Sequence, residues 1–264
     1  MKSIKARIVE LRSNGYQLDF GTVFEHAFEN YKKIALYAGL MLLVFSVLLS
    51  IIMFTGLISY IGIENLEEFS NKLKQFSELK SMPLEIAIPL NAGLILFSAL
   101  INPFMAGFLK MADCGEKQEE FHVSTMFTYY KLTYFIPIFS AVFMITFLST
   151  GLSILLEYGG FSFIGSIISL TISFITFLTI PLIVFGNLNP IEAIKSSIII
   201  FSKQPLVLLG LIIVAGIGSV IGIFGFCIGL FFTLPFMYSM NYIIYKTIIG
   251  IDSVSEIEYK DPSL

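Results

Sequence analysis

Residues 34–63 read IALYAGLMLLVFSVLLSIIMFTGLISYIGI, thirty residues in which no charge occurs before Glu64. An α-helix needs about 20 predominantly apolar residues to cross the hydrocarbon core of a bilayer. Outward from this band the same pattern recurs until Gly250, giving expected spans at 34–60, 86–109, 133–156, 163–186, 206–223 and 226–248. Composition agrees: the chain is 56% hydrophobic and 13% charged, with a mean hydropathy of +0.86 that lies outside the range of a soluble domain. The reading is an all-α, polytopic membrane helical bundle with six transmembrane helices.

Charge divides unevenly between the two faces. With the N-terminus in the cytoplasm, the cytoplasmic segments hold 13 of the 16 basic residues, and the outer side keeps Lys72, Lys74 and Lys80 in the first external loop. Under the positive-inside rule this split places both termini in the cytoplasm. The expected organisation is a cytoplasmic segment over 1–33, one transmembrane domain over 34–250 and a cytoplasmic tail over 251–264. The first thirty residues are polar and charged, so no cleavable signal peptide is expected. Cys114 and Cys227 fall on opposite sides, so no disulfide is expected between them.

The spans pair into three expected hairpins, each introduced by an amphipathic stretch that ends in an aromatic and a lysine. The first has Phe20, Val23, Phe24, Ala27, Phe28 and Tyr31 before Lys32 and Lys33. The second has Val123, Met126, Phe127 and Tyr130 before Lys131, and the third Ile191, Ile194, Ile198 and Phe201 before Lys203. Spacings of three and four put each set on one helical face, as in helices that lie in the cytoplasmic membrane interface. Asp19 and Asn189 are expected N-caps, with Pro190 at a first helical position. Each even span carries a proline: Pro103, Pro181 and Pro235. Proline frees a backbone carbonyl that must find a partner within the protein, so kinks are expected there, either shaping the bundle or lining a cavity.

The first external loop differs from the rest. Asn65 with Glu68 resembles a capping box, and Leu66, Phe69, Leu73 and Phe76 form an apolar stripe on a helix expected over about 65–80. It reads as a helix on the outer leaflet or as a docking helix for an external partner. Gly218, Gly222, Gly225 and Gly229 form GxxxG pairs that permit close backbone approach, in a hairpin of spans five and six or between two copies of the chain. Asn91, Asn102, Asn187 and Asn241 are the polar residues expected near an internal cavity or its mouth, with Asn102 beside Pro103 the best placed.

Chemistry-bearing residues are scarce. Ionisable groups inside a bilayer are expensive and mark function by default, yet Glu85 and Glu157 sit at span edges, and Glu192 and Lys195 on the third amphipathic stretch. His26 and His122 are the only histidines, and they do not supply a metal-ligand spacing even with Glu119 near His122. No Walker-type, GxSxG or HExxH motif occurs. The span hydroxyls Ser166, Ser169, Thr171, Ser173, Thr176 and Thr179 read as interhelical hydrogen-bonding groups. No catalytic residue, metal site, cofactor or nucleic-acid partner is expected; membrane lipids, a protein partner or a second copy of the chain are.

The segment Ile101-Asn-Pro-Phe-Met-Ala-Gly-Phe-Leu-Lys-Met111 and the segment Pro190-Ile-Glu-Ala-Ile-Lys-Ser-Ser-Ile198, with its Lys-Gln-Pro turn and Pro235-Phe-Met-Tyr, resemble a known pattern. Together they look like the six-span bacterial family related to the membrane domain of glycerophosphoryl diester phosphodiesterases. The resemblance covers nearly the whole chain. It implies a bacterial inner-membrane location and a helical bundle, carries no catalytic residue, and leaves out the soluble phosphodiesterase barrel. The expected function is a non-enzymatic accessory, scaffold or assembly protein. The alternative is a carrier of lipid or a small hydrophobic molecule, with a cavity lined by the kinked even spans.

Overall fold

The computed structural model describes residues 4–78, 83–225 and 228–250, so the tail over 251–264, Cys227 and the Lys80 end of the loop after the first span lie outside it. All regular structure among the described residues is helical. A short α1 (Ile4–Asn14) precedes α2 (Phe20–Ile61), α3 (Leu66–Glu78) and α4 (Leu84–Lys117). Then come α5 (Leu132–Tyr158), α6 (Ser162–Ile175), α7 (Thr179–Val184), α8 (Pro190–Lys203), α9 (Pro205–Val220), α10 (Ile228–Thr233) and α11 (Pro235–Ile249). Six helical segments are long and apolar enough to cross a membrane, with α6–α7, α9 and the turn after it, and α10–α11 each making one of them.

The stretches before the odd spans take three different forms. Asp19 caps the first, accepting from the Thr22 amide at 2.7 Å and its hydroxyl at 2.6 Å. Nothing after Lys33 breaks the helix, so this stretch and the first span are one continuous α2, 42 residues long, that stops only at Gly62 with φ 81°. The second stretch is a 3-10 helix over Val123–Tyr130, ended by extended Lys131. It lies directly on α4 because Gly107 has no side chain: a methyl there would meet the Met126 backbone at 2.6–3.0 Å. The third is a separate helix, α8, capped by Asn189 with Pro190 at its first turn as expected and ended at Gln204, which Pro205 keeps out of the helical region.

The faces these stretches bury also differ from the large apolar stripes. In α8 the buried side chains are Ala193, Ser196, Ser197 and Ile200, while Ile191 and Ile198 are exposed. In α2, Val23, Ala27, Asn30 and Ile34 are buried, and Phe20 and Phe28 are exposed. Small residues let helices approach, so they face protein, and the bulky ones face outward.

One end of the bundle gathers α1, the start of α2, the end of α4, α8 and the end of α11. Here the packing is dense. Ile4, Ile8 and Leu11 of α1 bury one face, Arg7 donates to the Ile248 carbonyl at 3.1 Å, and the Tyr16 hydroxyl donates to the Ile200 carbonyl at 2.8 Å. Phe24, Phe28 and Tyr31 of α2 pack edge-on against Phe236 of α11, with centroids 5.4–6.1 Å apart. Toward the far end α2 loses contact with its neighbours. Beyond Leu42, α2 has no buried residue, and over two turns, 51–57, every side chain is exposed.

Spans five and six still meet at the far end. A methyl on Gly222 would overlap the Gly229 backbone, and Gly225 lies against both residues, so the close turn requires glycine at this crossing. Gly218 instead makes room for Phe236, whose ring would sit 2.8 Å from a methyl there. In the loop between the first two spans Asn65 ends a 3-10 turn, and its side-chain amide donates to the Ile61 carbonyl at 2.9 Å, closing α2 rather than opening α3. On α3, Leu66 is exposed and Phe69 half-buried, while the side chains of Leu73 and Phe76 lie outside the described residues.

Candidate functional site

Three places concentrate chemistry or free volume. The first is a charged cluster where α2, α4 and α11 meet at the dense end. α4 continues past Leu109 to Lys117, and this extension carries Asp113, with the half-buried Lys110 and Glu116, into the protein, while Lys117 stays exposed. Asp113 is only 2% exposed. Its carboxylate accepts from Tyr242 Oη at 3.0 Å and Lys110 Nζ at 2.7 Å, and pairs with Lys117 Nζ at 3.2 Å. Glu116 Oε1 lies 2.8 Å from His26 Nε2 and 3.0 Å from Lys246 Nζ. Asn30, fully buried, donates its amide to the Ala112 carbonyl at 2.8 Å.

Removing charge from water costs several kcal/mol per ion unless pairing and hydrogen bonds compensate. Here Asp113 has two lysines of its own helix and Tyr242 of α11, and Glu116 has His26 of α2 and Lys246 of α11, so the cluster acts as a staple between helices. In the sequence Lys110 and Lys117 are two basic residues beyond the end of a span, His26 has no partner, and neither Asp113 nor Glu116 stands out. The available signal was spacing: Tyr242 with Lys246 and His26 with Asn30 are four-residue pairs on facing helices, opposite Asp113 and Glu116.

The second place is the interruption of span four between α6 and α7. Pro181 has no amide, so the carbonyl four residues earlier, Phe177, has no helical donor. The Asn241 amide of α11 supplies one at 3.2 Å. Ser197 of α8 completes the repair: its hydroxyl donates to the Ile175 carbonyl at 2.8 Å and accepts from the Leu178 amide at 3.1 Å. This is the partner that a proline in a bilayer requires.

The other two prolines behave differently. α4 runs through Pro103 without interruption; Asn102 donates to the Ser98 carbonyl at 2.9 Å and Tyr130 to the Leu100 carbonyl at 3.1 Å. Pro235 opens α11 after a one-residue break at Leu234, where Tyr31 donates to the Phe232 carbonyl at 3.1 Å and Thr233 to the Ser219 carbonyl at 2.6 Å. All three prolines are buried. Asn187 is exposed, in a left-handed turn at φ 48° that ends span four.

The third place is an apolar groove of about 360 Å³ between α4 and α5. Ile88, Ala92, Ile95, Phe143, Phe147 and Ile154 line it, with Asn91 and Thr150 as its polar residues. Asn91 turns its amide to the Ala87 carbonyl at 2.8 Å, so the groove wall is apolar in effect. Phe143 and Phe147 belong to a stacked ladder that runs down α5 from Phe135. Of the polar and proline residues expected around one cavity, only Asn91 lines this groove; Asn102, Pro103, Pro181, Pro235 and Asn241 sit elsewhere in the bundle.

Among the described residues no group of three or more His, Cys, Asp or Glu is placed to hold a metal ion. Compared with protein-family models, with curated proteins and with solved structures, the chain matches none.

Proposed function

We propose that this chain is a non-enzymatic accessory or assembly protein of the bacterial cytoplasmic membrane, with both termini inside, that holds another membrane protein against the open half of its bundle. One observation carries the reading. Over residues 51–57 all seven consecutive residues of α2 are exposed, so no face of that helix is covered by its own bundle. A span that belongs to a self-sufficient bundle gives at least one face to its neighbours. The dense end, fixed by the charged staple, supplies a rigid base from which this helix is presented. The uneven distribution of lysine and arginine supports the orientation.

The groove between α4 and α5 favours a second reading, a carrier or binder of a lipid chain. Its volume lies within the range of small-molecule pockets and its wall offers almost nothing but hydrocarbon. Native mass spectrometry of the protein gently extracted from its own membranes separates the two. A stoichiometric protein partner, lost in a Phe54→Asn variant, is the expected result. A lone chain that retains one defined lipid moves the carrier reading to first place, and a bare chain overturns both.

A further inference from the structure

Building on the second reading above, in which the groove between α4 and α5 takes a lipid chain, we infer that its ligand is an aminophospholipid. One acyl chain lies in the groove, and the primary ammonium of the headgroup is drawn to the carboxylates of Glu85 and Glu157 at the mouth. The length of the groove fits a chain. Its wall runs from Ile88 to Leu96 on α4 and from Phe143 to Ile154 on α5. At 1.5 Å per residue these stretches are about 12 and 16 Å long. The hydrocarbon core of a bilayer is about 30 Å thick, so the groove matches the depth of one leaflet.

The two carboxylates stand at one end of it. Tyr130, just before α5, donates to the Leu100 carbonyl, while residues 143–154 of α5 face residues 88–96 of α4, so the two helices run antiparallel. Glu85 lies three residues before Ile88 and Glu157 three after Ile154, spacings that keep each on the lining face of its own helix, one turn beyond the wall. Both are exposed, and neither has an ion pair among the described residues. The wall carries no charge, so a headgroup is selected at the mouth. An anionic head there meets two like charges. A primary ammonium meets two of opposite sign and offers them charge-assisted hydrogen bonds.

The test is native mass spectrometry of the full chain in neutral detergent, offered phosphatidylethanolamine or phosphatidylglycerol with identical acyl chains. EDTA is present, so that no divalent ion bridges a carboxylate to a phosphate. The wild type is expected to retain the ethanolamine lipid about fivefold better, the upper range for an exposed ion pair. A double variant, Glu85→Gln with Glu157→Gln, keeps the shape at two exposed positions and is expected to retain both lipids equally. Ala92→Phe, which fills the groove from an exposed position on its wall, is expected to lose both lipids. Equal retention by the wild type, or a preference that survives in the double variant, overturns the headgroup assignment and leaves the chain in the groove. A wild type that retains neither lipid, or retention unchanged in Ala92→Phe, overturns the groove reading along with it.

Discussion

The two ends of the bundle are made of similar apolar helices and hold together by different means. At the dense end, α2, α4 and α11 are joined by Asp113, Glu116 and their partners, and by edge-on aromatic packing around Phe236. At the far end α2 stands clear of its neighbours, while the Gly222–Gly229 crossing and the Ser153–Gly165 crossing of α5 with α6 keep close contacts. In a membrane, lipid tails are as apolar as leucine, so a hydrophobic surface alone does not draw helices together. Polar networks and small-residue crossings do, and where this chain lacks them its helices separate.

That contrast has a large expected effect. Asp113→Leu leaves Lys110, Lys117 and Tyr242 without their buried carboxylate and is expected to lower stability by about 3 kcal/mol in a reversible mixed-micelle unfolding titration. Ile52→Ala, at a side chain 65% exposed, is expected to stay within about 0.5 kcal/mol in the same titration. Equal losses would break the comparison, since they would mean that the far end is packed as tightly as the dense one.

The glycines sharpen it within the far end. Gly222→Val must push apart the Gly229 backbone and is expected to cost about 2 kcal/mol. Gly216, on α9 just before this crossing, has open space where a methyl would sit, so Gly216→Ala is expected to be neutral or to stabilise by up to about 1 kcal/mol through helix propensity. Thermal melts of the two variants side by side check the pair. A smaller effect belongs to the span-four break: Asn241→Leu strips the Phe177 carbonyl of its donor and is expected to cost about 1 kcal/mol.

The smallest effect is electrostatic. The Thr22 hydroxyl and amide hold the exposed Asp19 carboxyl below its usual range, opposed only by a slight desolvation. Because the folded value is depressed, the cap contributes fully above the unfolded value, near 4, and is lost as pH falls through the folded one. Amide hydrogen exchange at Thr22 is expected to accelerate in acid more than simple chemistry predicts, and Asp19→Ala to remove that excess. An unchanged profile in the variant would separate the cap from the start of α2.

Much of the architecture was legible in the chain. Hydropathy is a sum over neighbours in sequence, so residues 34–63 announce a span without help from any other segment. Caps are equally local, and Asp19 and Asn189 lie where the spacing put them. The candidate site was less legible. Asp113 and Glu116 look like ordinary charges beyond the end of a span until Tyr242 and Lys246, some 130 residues later, are laid against them. Asn102 beside Pro103 was the natural guess for a polar group at a break, yet α4 continues through Pro103 as one helix, and the asparagine that meets a proline-freed carbonyl is Asn241, 64 residues away.

Sequence by itself determined the number of spans, their order, the starts of α2 and α8 and the need for glycine near 222 and 229, because each follows from transfer free energy or backbone sterics within a short window. Only the tertiary structure decided which face of each helix meets protein, which carboxylates are buried and which carbonyls are repaired. Those outcomes depend on pairings across long sequence separations, and no local free energy selects among them.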